Sequence, residues 1–536
     1  MKTYHFYLLV TLAILFSACS GNRGAFDQDG RETTIPLNDN VVLRNVVGIN
    51  TEADEYAPAI IGNGKILYFT STRPNYFSNK AGDESIWYSI KEGNDWGAPR
   101  NLRLPIDGKW KQGTTAISPD GQYVYFALQT DGKVDGYGNF DLYYSKIEGT
   151  SWSHPINLGA TVNSVYWDHN PTISSDGKTL IFASNRPGGF GNIDLWMTKK
   201  DEDGNWGKPH NLGAAINTSA DEMAPFLALD NRTLYFSSNG KPTVGGFDIF
   251  VSQYSGGGWS YRRNVGRPYN SQKDEYFITI PAANDTAYIA SNREGSIHGS
   301  LDIWMVVPPP LKAVSKQLPP AVVTVTGKVS EFNARPEKPV GATLTVTDLG
   351  SKNTVADFES NSVTGDYYIV LPSGKNYGLT VKAPGYLYHS SQFHVPDDAQ
   401  YEEIIKDIKL FPLKTEGTTE SDKPTVRLMV FFDYDKATLR PESYTDLKNA
   451  IEFLKDNPNI YAEISGHTDR RGTDEYNDKL SQDRAGSVAS YIVVNGHIDP
   501  ARVKPVGYGK RSLLFNGDTE EIHQANRRVE MVLIKY

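Results

Sequence analysis

Apolar and polar positions alternate in short runs through most of the chain, and the first half repeats one such pattern five times. Each copy contains an apolar tripeptide, and the copies follow one another at intervals of about 53 to 57 residues. The tripeptides begin at Tyr68, Tyr125, Ile181, Tyr235 and Tyr288. Turn sequences such as SPDG and NRPGGFG separate the apolar runs. Each unit therefore predicts about four short strands joined by turns, which is the content of one propeller blade.

The two ends of the repeat region complement each other. The fifth unit runs into a proline cluster at 308–310 without its last strand. Residues 45–50 (NVVGIN) supply the missing piece, because they match NLGATVN at 157–163 and NLGAAIN at 211–217. We therefore predict a five-bladed, all-β propeller over residues 40–307, in which the N-terminal strand pairs with the fifth blade and leaves no open sheet edge. The units resemble the WD40-like propeller repeat of the TolB type.

Two polar features of the repeats are candidates for chemistry. Acidic pairs open three of the units, at Asp54-Glu55, Asp221-Glu222 and Asp274-Glu275. Because such carboxylates recur from blade to blade, they predict hydrogen bonding in turns and strands rather than catalysis. The glycine-rich loops DGYGNFD and GGFGNID also recur and lack the ligand spacing of a cation loop, so we expect hairpin turns there.

A second domain is predicted between two linkers. Residues 308–321 are rich in proline and have the composition of a semi-rigid linker. Residues 322–411 place apolar side chains at every second position, which predicts a small antiparallel β-sandwich. This part resembles the carboxypeptidase regulatory-like domain in its PVGA and GDY segments, and the resemblance implies a spacer or adhesion unit. Residues 412–425 are polar and predict the second linker.

The hydrophobic period changes from residue 426 onwards. One helix is predicted to open at Pro441 and a second to cover residues 474–495. Strands are predicted at 427–432, 459–467, 503–508 and 528–534. Residues 426–536 therefore predict a compact α/β domain of about 110 residues.

Arg484 interrupts an apolar stripe of the second predicted helix. The other members of this stripe, four residues apart, are Tyr476, Leu480, Val488 and Ile492. A guanidinium buried without a partner is costly, so Arg484 requires an anion. We expect Asp469, at the end of the preceding strand, to face the same cleft, where the two charges match a zwitterion. The alternative is that Arg484 only pairs with Asp469 or Asp433 and ties the helix to the strand.

Four sequence blocks in this domain carry a resemblance to a known family. FFDYDKATLR, GHTDRRGTDEYNDKLSQDRAGSV, GYGK and ANRRVEMVL occur in the order and spacing of the OmpA/Pal C-terminal domain. The resemblance implies non-covalent binding of peptidoglycan through the diaminopimelate of its stem peptide. It implies that Asp469 and Arg484 are the principal pair, and that Arg527 and Arg528 support the cleft by salt bridges. The other peptidoglycan-binding residues that it implies are Phe432, Asp433, Thr468, Asn477 and Leu480.

The N-terminus predicts export. Residues 1–18 contain Lys2, an apolar run at 6–16 that is too short to span a bilayer, and two small residues. Cys19, the single cysteine of the chain, follows directly. The FSAC sequence resembles the lipobox of bacterial lipoproteins, which implies acylation of Cys19 and a linker over residues 19–39. The alternative is an ordinary secretory signal with an incidental thiol.

Composition removes several classes of function. The net charge of −9 and the pI of about 5.7 provide no broad basic field for nucleic acid. A single cysteine excludes an intrachain disulfide and cysteine-rich metal sites. The sequence contains no GxSxG or HExxH motif, and its ten histidines lack ligand spacing. We therefore predict no enzyme activity, no cofactor and no metal site.

Together these features predict a lipid-anchored outer-membrane protein that faces the periplasm, binds the cell wall with its last domain and presents its propeller to a protein partner. The domain order resembles envelope components of type IX secretion. One alternative is a wall-associated propeller enzyme, which a non-repeating cluster of titratable residues in the central channel would indicate. The other is a ligand-sensing receptor, which aromatic residues converging on one propeller face would indicate.

Overall fold

The computed structural model describes residues 40–74, 83–105, 111–129, 136–297, 300–310, 322–396, 401–413, 425–432, 435–519, 522–523 and 526–535. This part of the chain is mostly β and multidomain, with many small sheets and a C-terminal domain that also contains helices. The predicted signal peptide, Cys19, the linker at 19–39, most of the two later linkers and Asp433 lie outside the described residues. No helix of the described part is long and apolar enough to cross a membrane.

Five sheets form the N-terminal part. In the strand numbering given below, sheet 1 begins with β2, sheet 2 with β7, sheet 3 with β12, sheet 4 with β16 and sheet 5 with β21. Each sheet consists of strands that are consecutive in the chain, except that sheet 5 also contains β1. The strands are β1 (Val42–Asn45), β2 (Glu55–Ile60), β3 (Ile66–Ser71), β4 (Ser85–Glu92), β5 (Asp95–Trp96), β6 (Arg100–Asn101), β7 (Gln112–Ile117), β8 (Tyr123–Gln129), β9 (Phe140–Glu148), β10 (Ser151–Trp152), β11 (Ile156–Asn157), β12 (Asp168–Ile173), β13 (Thr179–Ser184), β14 (Asp194–Lys199), β15 (His210–Asn211), β16 (Glu222–Leu227), β17 (Thr233–Ser238), β18 (Asp248–Ser255), β19 (Gly258–Trp259), β20 (Arg263–Asn264), β21 (Glu275–Thr279), β22 (Ala287–Ser291) and β23 (Asp302–Val307).

The first strand closes the fifth sheet. β1 runs antiparallel to β23, with Val42 opposite Val307 and Asn45 opposite Trp304. The pairing partner agrees with the prediction, but the strand covers residues 42–45 rather than 45–50. It ends there because the chain turns, and the side chain of Asn50 bonds both the N–H (2.9 Å) and the carbonyl (2.8 Å) of Ile303.

Separate hydrophobic clusters join each sheet to the next. Clusters of buried side chains link sheet 1 to sheet 2, sheet 2 to 3, sheet 3 to 4 and sheet 4 to 5. A further cluster links sheet 5 to sheet 1, where Phe69 packs with Tyr288 and Ile303. The glycine-rich loops contribute to these contacts, because a Cβ at Gly191 would lie only 1.8 Å from the carbonyl oxygen of Ala220 in the approach to sheet 4.

The repeated carboxylates bind turns and strands within their own sheets. The buried Glu222 accepts hydrogen bonds from the backbone N–H of Thr218 (2.7 Å) and the hydroxyl of Ser238 (2.7 Å). Arg262 Nη1 lies 3.3 Å from the same carboxylate. Equivalent acid–arginine pairs are Glu55–Arg73, Asp168–Arg186 and Glu275–Arg293. These carboxylates therefore hold together the ends of the strands.

Two sheets around one core form the next domain. Its strands are β24 (Val322–Glu331), β25 (Thr343–Asp348), β26 (Thr354–Glu359), β27 (Asp366–Pro372), β28 (Lys375–Lys382), β29 (His389–Val395), β30 (Glu402–Ile405) and β31 (Ile408–Leu410). The sheet orders are β27-β24-β30, with β31 also on β24, and β26-β25-β28-β29. The prediction of a purely antiparallel arrangement is wrong, because β30 and β31 run parallel to β24. They return along its free edge after a long connection through the other sheet.

The C-terminal domain packs two helices on a four-stranded sheet. Its elements are β32 (Thr425–Leu428), α1 (Tyr444–Asp456), β33 (Tyr461–Gly466), α2 (Asp474–Gly496), β34 (Val503–Gly507) and β35 (Val529–Lys535), with 3-10 turns at Pro441–Ser443 and Pro500–Arg502. The sheet order is β32-β35-β33-β34. β32 is shorter than predicted because side chains replace strand partners beyond Leu428: Met429 N–H donates to Asp446 (2.7 Å) and Phe431 N–H donates to Ser443 (2.8 Å).

Candidate functional site

Strand β33 and helix α2 approach each other closely at the point where the predicted site residues lie. A Cβ on Gly466, the last residue of β33, would lie 2.2 Å from the carbonyl oxygen of Ser481 in α2. Only glycine allows this approach of strand to helix. The chain then passes through Thr468 and Asp469 to the N-cap of α2, where the Thr473 hydroxyl accepts from the N–H of Tyr476 (3.3 Å). The strand end and the helix face are therefore held side by side.

Asp469 is buried among arginines. Its side chain is 9% exposed, and its Oδ2 lies 2.7 Å from Arg471 Nη2 and 2.7 Å from Arg527 Nη1. Burial by itself raises the pKa of Asp469, but the hydrogen bonds from Arg471 and Arg527 outweigh it and bring the pKa to about 2. The carboxylate is therefore ionised at neutral pH and well supplied with donors.

Arg484 forms no salt bridge with Asp469, which was one form of the alternative to ligand binding; Asp433, the other partner in that alternative, lies outside the described residues. Arg484 is 8% exposed, its guanidinium carbon lies 5.0 Å from the centre of the Phe432 ring, and its Nε donates to the carbonyl of Lys436 (3.1 Å). It forms no ion pair with any carboxylate of the described residues. Burial and then the positive charge of Arg527 lower the pKa of Arg484. Asp469 is thus neutralised by Arg471 and Arg527, whereas Arg484 has no carboxylate partner among the described residues.

The remaining predicted residues divide into two groups. Thr468 is buried beside Asp469, and its N–H donates to the carbonyl of Gly509 (2.9 Å). The side chain of Asn477 donates to the carbonyls of Arg471 (2.7 Å) and Thr473. Leu480 is half-buried on the same helix. Arg528 turns away from Asp469: its Nε bonds Glu530 (2.7 Å) and its Nη1 donates to the carbonyl of Ser512. Thr468 and Asn477 therefore shape the loop around Asp469, whereas Arg528 braces β35.

The C-terminal part of the chain is similar to known proteins. Residues 431–527 match the family model described as the OmpA family. The C-terminal domain is OmpA-like. A peptidoglycan-associated lipoprotein of Pseudomonas aeruginosa is 37% identical to this chain over 113 residues, which are 21% of this chain and 66% of that protein.

Two further similarities cover the same OmpA-like domain. Outer membrane porin F of Pseudomonas fluorescens is 44% identical over 105 residues, which are 20% of this chain and 32% of the porin. The solved structure of the peptidoglycan-associated lipoprotein from Burkholderia pseudomallei is 32% identical, covering 19% of this chain and 87% of that one, with a TM-score of 0.19. The chain spans about a third of the length of the porin F relatives.

Two further polar residues near the end of β33 are absent from the sequence-based prediction of the site. Arg471 bonds Asp469, and its position two residues further along the same loop is a local signal that could have identified it. His467 stacks on the ring of Tyr508 at 5.4 Å, and burial followed by the charge of Arg528 lowers its pKa to about 4. No sequence signal distinguishes His467, because its neighbours come from distant strands.

Proposed function

We propose that this chain binds peptidoglycan non-covalently through its OmpA-like domain and recognises the diaminopimelate of the stem peptide. The observation that carries the proposal is the pair of opposite charges formed by Asp469, in the loop after β33, and Arg484 on α2, in which Arg484 lacks an ion pair among the described residues. The similarity to proteins named peptidoglycan-associated lipoprotein supports the same ligand.

The geometry suggests how the ligand is held. The ammonium of the amino acid binds Asp469 and takes a place now shared by the guanidinium groups of Arg471 and Arg527. The neighbouring carboxylate binds Arg484 through charge-assisted hydrogen bonds. The ring of Phe432, 5.0 Å from the Arg484 guanidinium carbon, keeps that side chain aimed at the ligand. Binding therefore uses two complementary charges that a neutral sugar cannot satisfy.

The direct test is cosedimentation of the purified full chain with purified sacculi. We expect saturable binding that free meso-diaminopimelate competes away. Binding that is unaffected by this competitor would contradict the assignment of the ligand.

We further propose that Cys19 is acylated, and that the protein is anchored in the outer membrane and faces the periplasm. The FSAC sequence after an export signal supports this, as do relatives named as outer membrane proteins. Two or more acyl chains on one cysteine hold a protein durably on a bilayer.

Cys19→Ser is therefore expected to move most of the protein from the membrane fraction to the soluble fraction, because the acyl attachment point is lost. The measurement is fractionation of cells after the wall has been digested, with Ser20→Ala as a control that keeps the thiol. Unchanged membrane association of the Cys19→Ser variant would contradict lipid anchoring.

We propose that the five N-terminal sheets form a five-bladed propeller, and that residues 322–411 are a carboxypeptidase regulatory-like spacer. The cluster that joins sheet 5 to sheet 1 and the pairing of β1 with β23 support a closed ring. A central cavity of about 50 Å³ is bordered by the first strands of all five sheets. The described residues that line it are apolar or carry hydroxyl or amide groups, which favours a binding role over an enzymatic one. Release of soluble fragments from sacculi by the chain would contradict this view.

We propose that the ring acts as a scaffold for an envelope complex of the type IX secretion kind. The domain order supports this role. Crosslinking in cells tests it, and recovery of wall material without a protein partner would contradict it.

A ligand-sensing receptor is the second candidate, because aromatic side chains of neighbouring sheets meet where the first strands begin. These contacts are Tyr56–Phe277 (5.9 Å), Phe140–His169 (4.9 Å) and Phe247–Tyr276 (4.9 Å).

A further inference from the structure

A large cleft lies between the two-sheet domain and the OmpA-like domain. It has a volume of about 1210 Å³ and is bordered by β29 on one side and by β32 and β35 on the other. The domains are firmly joined beside it: the Ser390 hydroxyl donates to buried Asp446 (2.8 Å), which also accepts from Met429 N–H. Leu387 and Tyr388 are buried in the core of the OmpA-like domain. The walls of this interdomain cleft are therefore fixed relative to each other.

The interdomain cleft is strongly basic, although the chain as a whole carries a net charge of −9. Among the described residues that line it, Glu530 is the single acid, and it is already bonded to Arg528 (2.7 Å). The cations are Lys406, Arg427, Arg440, Arg527 and Arg528. A concentration of one sign of charge in a cleft attracts ligands of the opposite sign.

Two of these cations come from different domains: Lys406 from the two-sheet domain and Arg427 from the OmpA-like domain. Neither forms a salt bridge with a carboxylate in the described part of the chain, although Glu530 lies opposite Arg427 in the pairing of β32 with β35 and its charge favours the charged guanidinium. Burial and then the charge of Arg427 lower the pKa of Lys406, so the two groups disfavour each other. Because like charges repel across the cleft, an anion placed between them would relieve the repulsion and be held by both domains.

Neutral hydrogen-bonding groups accompany these cations in the cleft wall. The Ser391 hydroxyl and Nε2 of His389 are buried atoms without a hydrogen-bond partner among the described residues. Burial, and then the charges of Lys406 and Arg427, lower the pKa of His389 to about 4, so its ring is neutral at pH 7. A hydroxyl and a neutral imidazole both supply donors for the oxygens of an anion.

The interdomain cleft and the site for the diamino acid share one residue. Arg527 lines the cleft, and its Nη1 lies 2.7 Å from Asp469 Oδ2. We propose that the cleft binds a second carboxylate of the wall peptide, between Lys406 and Arg427, while the diaminopimelate occupies Asp469 and Arg484. This inference rests on the proposed function and adds a contact from the neighbouring domain. The wall ligand would then bridge the two domains.

The test compares two soluble ligands on the full chain by titration calorimetry: free meso-diaminopimelate and the muropeptide that carries it in a tripeptide. The variant is the double substitution Lys406→Gln with Arg427→Gln. We expect it to weaken muropeptide binding at least tenfold at low salt, and to leave the affinity for free diaminopimelate unchanged. The effect should shrink at high salt, because half-exposed charges are screened.

Matched variants separate the possible outcomes. The double variant Lys409→Gln with Arg511→Gln removes two exposed cations outside the cleft and should change neither affinity. The double variant Lys406→Arg with Arg427→Lys keeps both charges and should retain most of the muropeptide affinity.

If the wild-type chain binds neither ligand, the proposed function fails. If it binds both and the double variant matches the wild type, or loses both affinities equally, the cleft proposal fails. If the double variant loses binding to phosphatidylglycerol vesicles but keeps the wild-type affinity for the muropeptide, the cleft binds lipid phosphate and the proposal is overturned.

Discussion

Replacing Arg484 by alanine is expected to lower the affinity of the full chain for purified sacculi more than tenfold. The substitution removes the cation that would bind the ligand carboxylate, and a hydrogen bond to a charged group contributes about 1.5 to 3 kcal/mol. The described contacts of Arg484 are the Lys436 carbonyl and the Phe432 ring, so its loss leaves no described carboxylate without a salt-bridge partner. The domain should therefore stay folded.

The control for this prediction lies in the same domain. Arg511 is exposed and pairs with Asp478 at 2.7 Å, so Arg511→Ala removes an equal charge outside the site. We expect it to bind sacculi like the wild type, as measured by cosedimentation at several chain concentrations. Equal binding of the Arg484→Ala and Arg511→Ala variants would rule out Arg484 as a ligand-binding residue.

The acidic partner has a distinct signature in its pH dependence. The pKa of Asp469 is lowered to about 2, so this carboxylate stabilises the folded domain above its unfolded pKa near 4 and loses that effect as the pH falls through about 2. Binding to sacculi should therefore not decline through titration of Asp469 between pH 7 and pH 5. An Asp469 carboxyl signal that titrates between pH 7 and pH 5 in an NMR titration of the ligand-free chain would contradict the lowered pKa.

Glu222→Ala is expected to destabilise sheet 4 by about 3 to 5 kcal/mol. The substitution leaves Arg262, which is 5% exposed, buried without its counter-charge, and deletes the acceptor for Thr218 and Ser238. Removing one partner of a buried ion pair has a cost of this size. The measurement is hydrogen exchange of peptides from sheet 4 in the full chain. A destabilisation of about 3 kcal/mol or more should make this exchange more than about a hundredfold faster.

Two further variants separate this effect from general sensitivity. Glu202 is exposed in a loop before sheet 4, and Glu202→Ala should change stability by less than about 0.5 kcal/mol. The double substitution Glu222→Ala with Arg262→Ala should be less destabilising than the sum of the single ones, because it removes both buried charges. Additive effects would mean that the two side chains do not interact.

The sequence repeat allowed the strands of the N-terminal part to be predicted. Each unit carries its own strands, and the first strand of every sheet except sheet 2 begins with a carboxylate that interacts locally, as Glu222 does with Thr218 and Ser238. The strand that pairs with the free edge of β24 could not be predicted in this way, because β30 follows β24 after about 70 intervening residues. The alternation of apolar residues within a strand does not indicate whether a distant strand pairs with it in a parallel or an antiparallel direction.

The candidate site divides along the same line. By itself the sequence determined which charged residues lie after β33 and on α2, because a cation inside an apolar stripe and an acid after a strand are local patterns. Only the tertiary structure decided that Arg527, 58 residues from Asp469, neutralises that acid, and that Arg484 lies over Phe432. It also placed Lys406 and Arg427, from two domains, in the wall of one cleft. The physical reason is that periodicity reports burial along one element, whereas the partner of a charge depends on which distant elements the fold brings together.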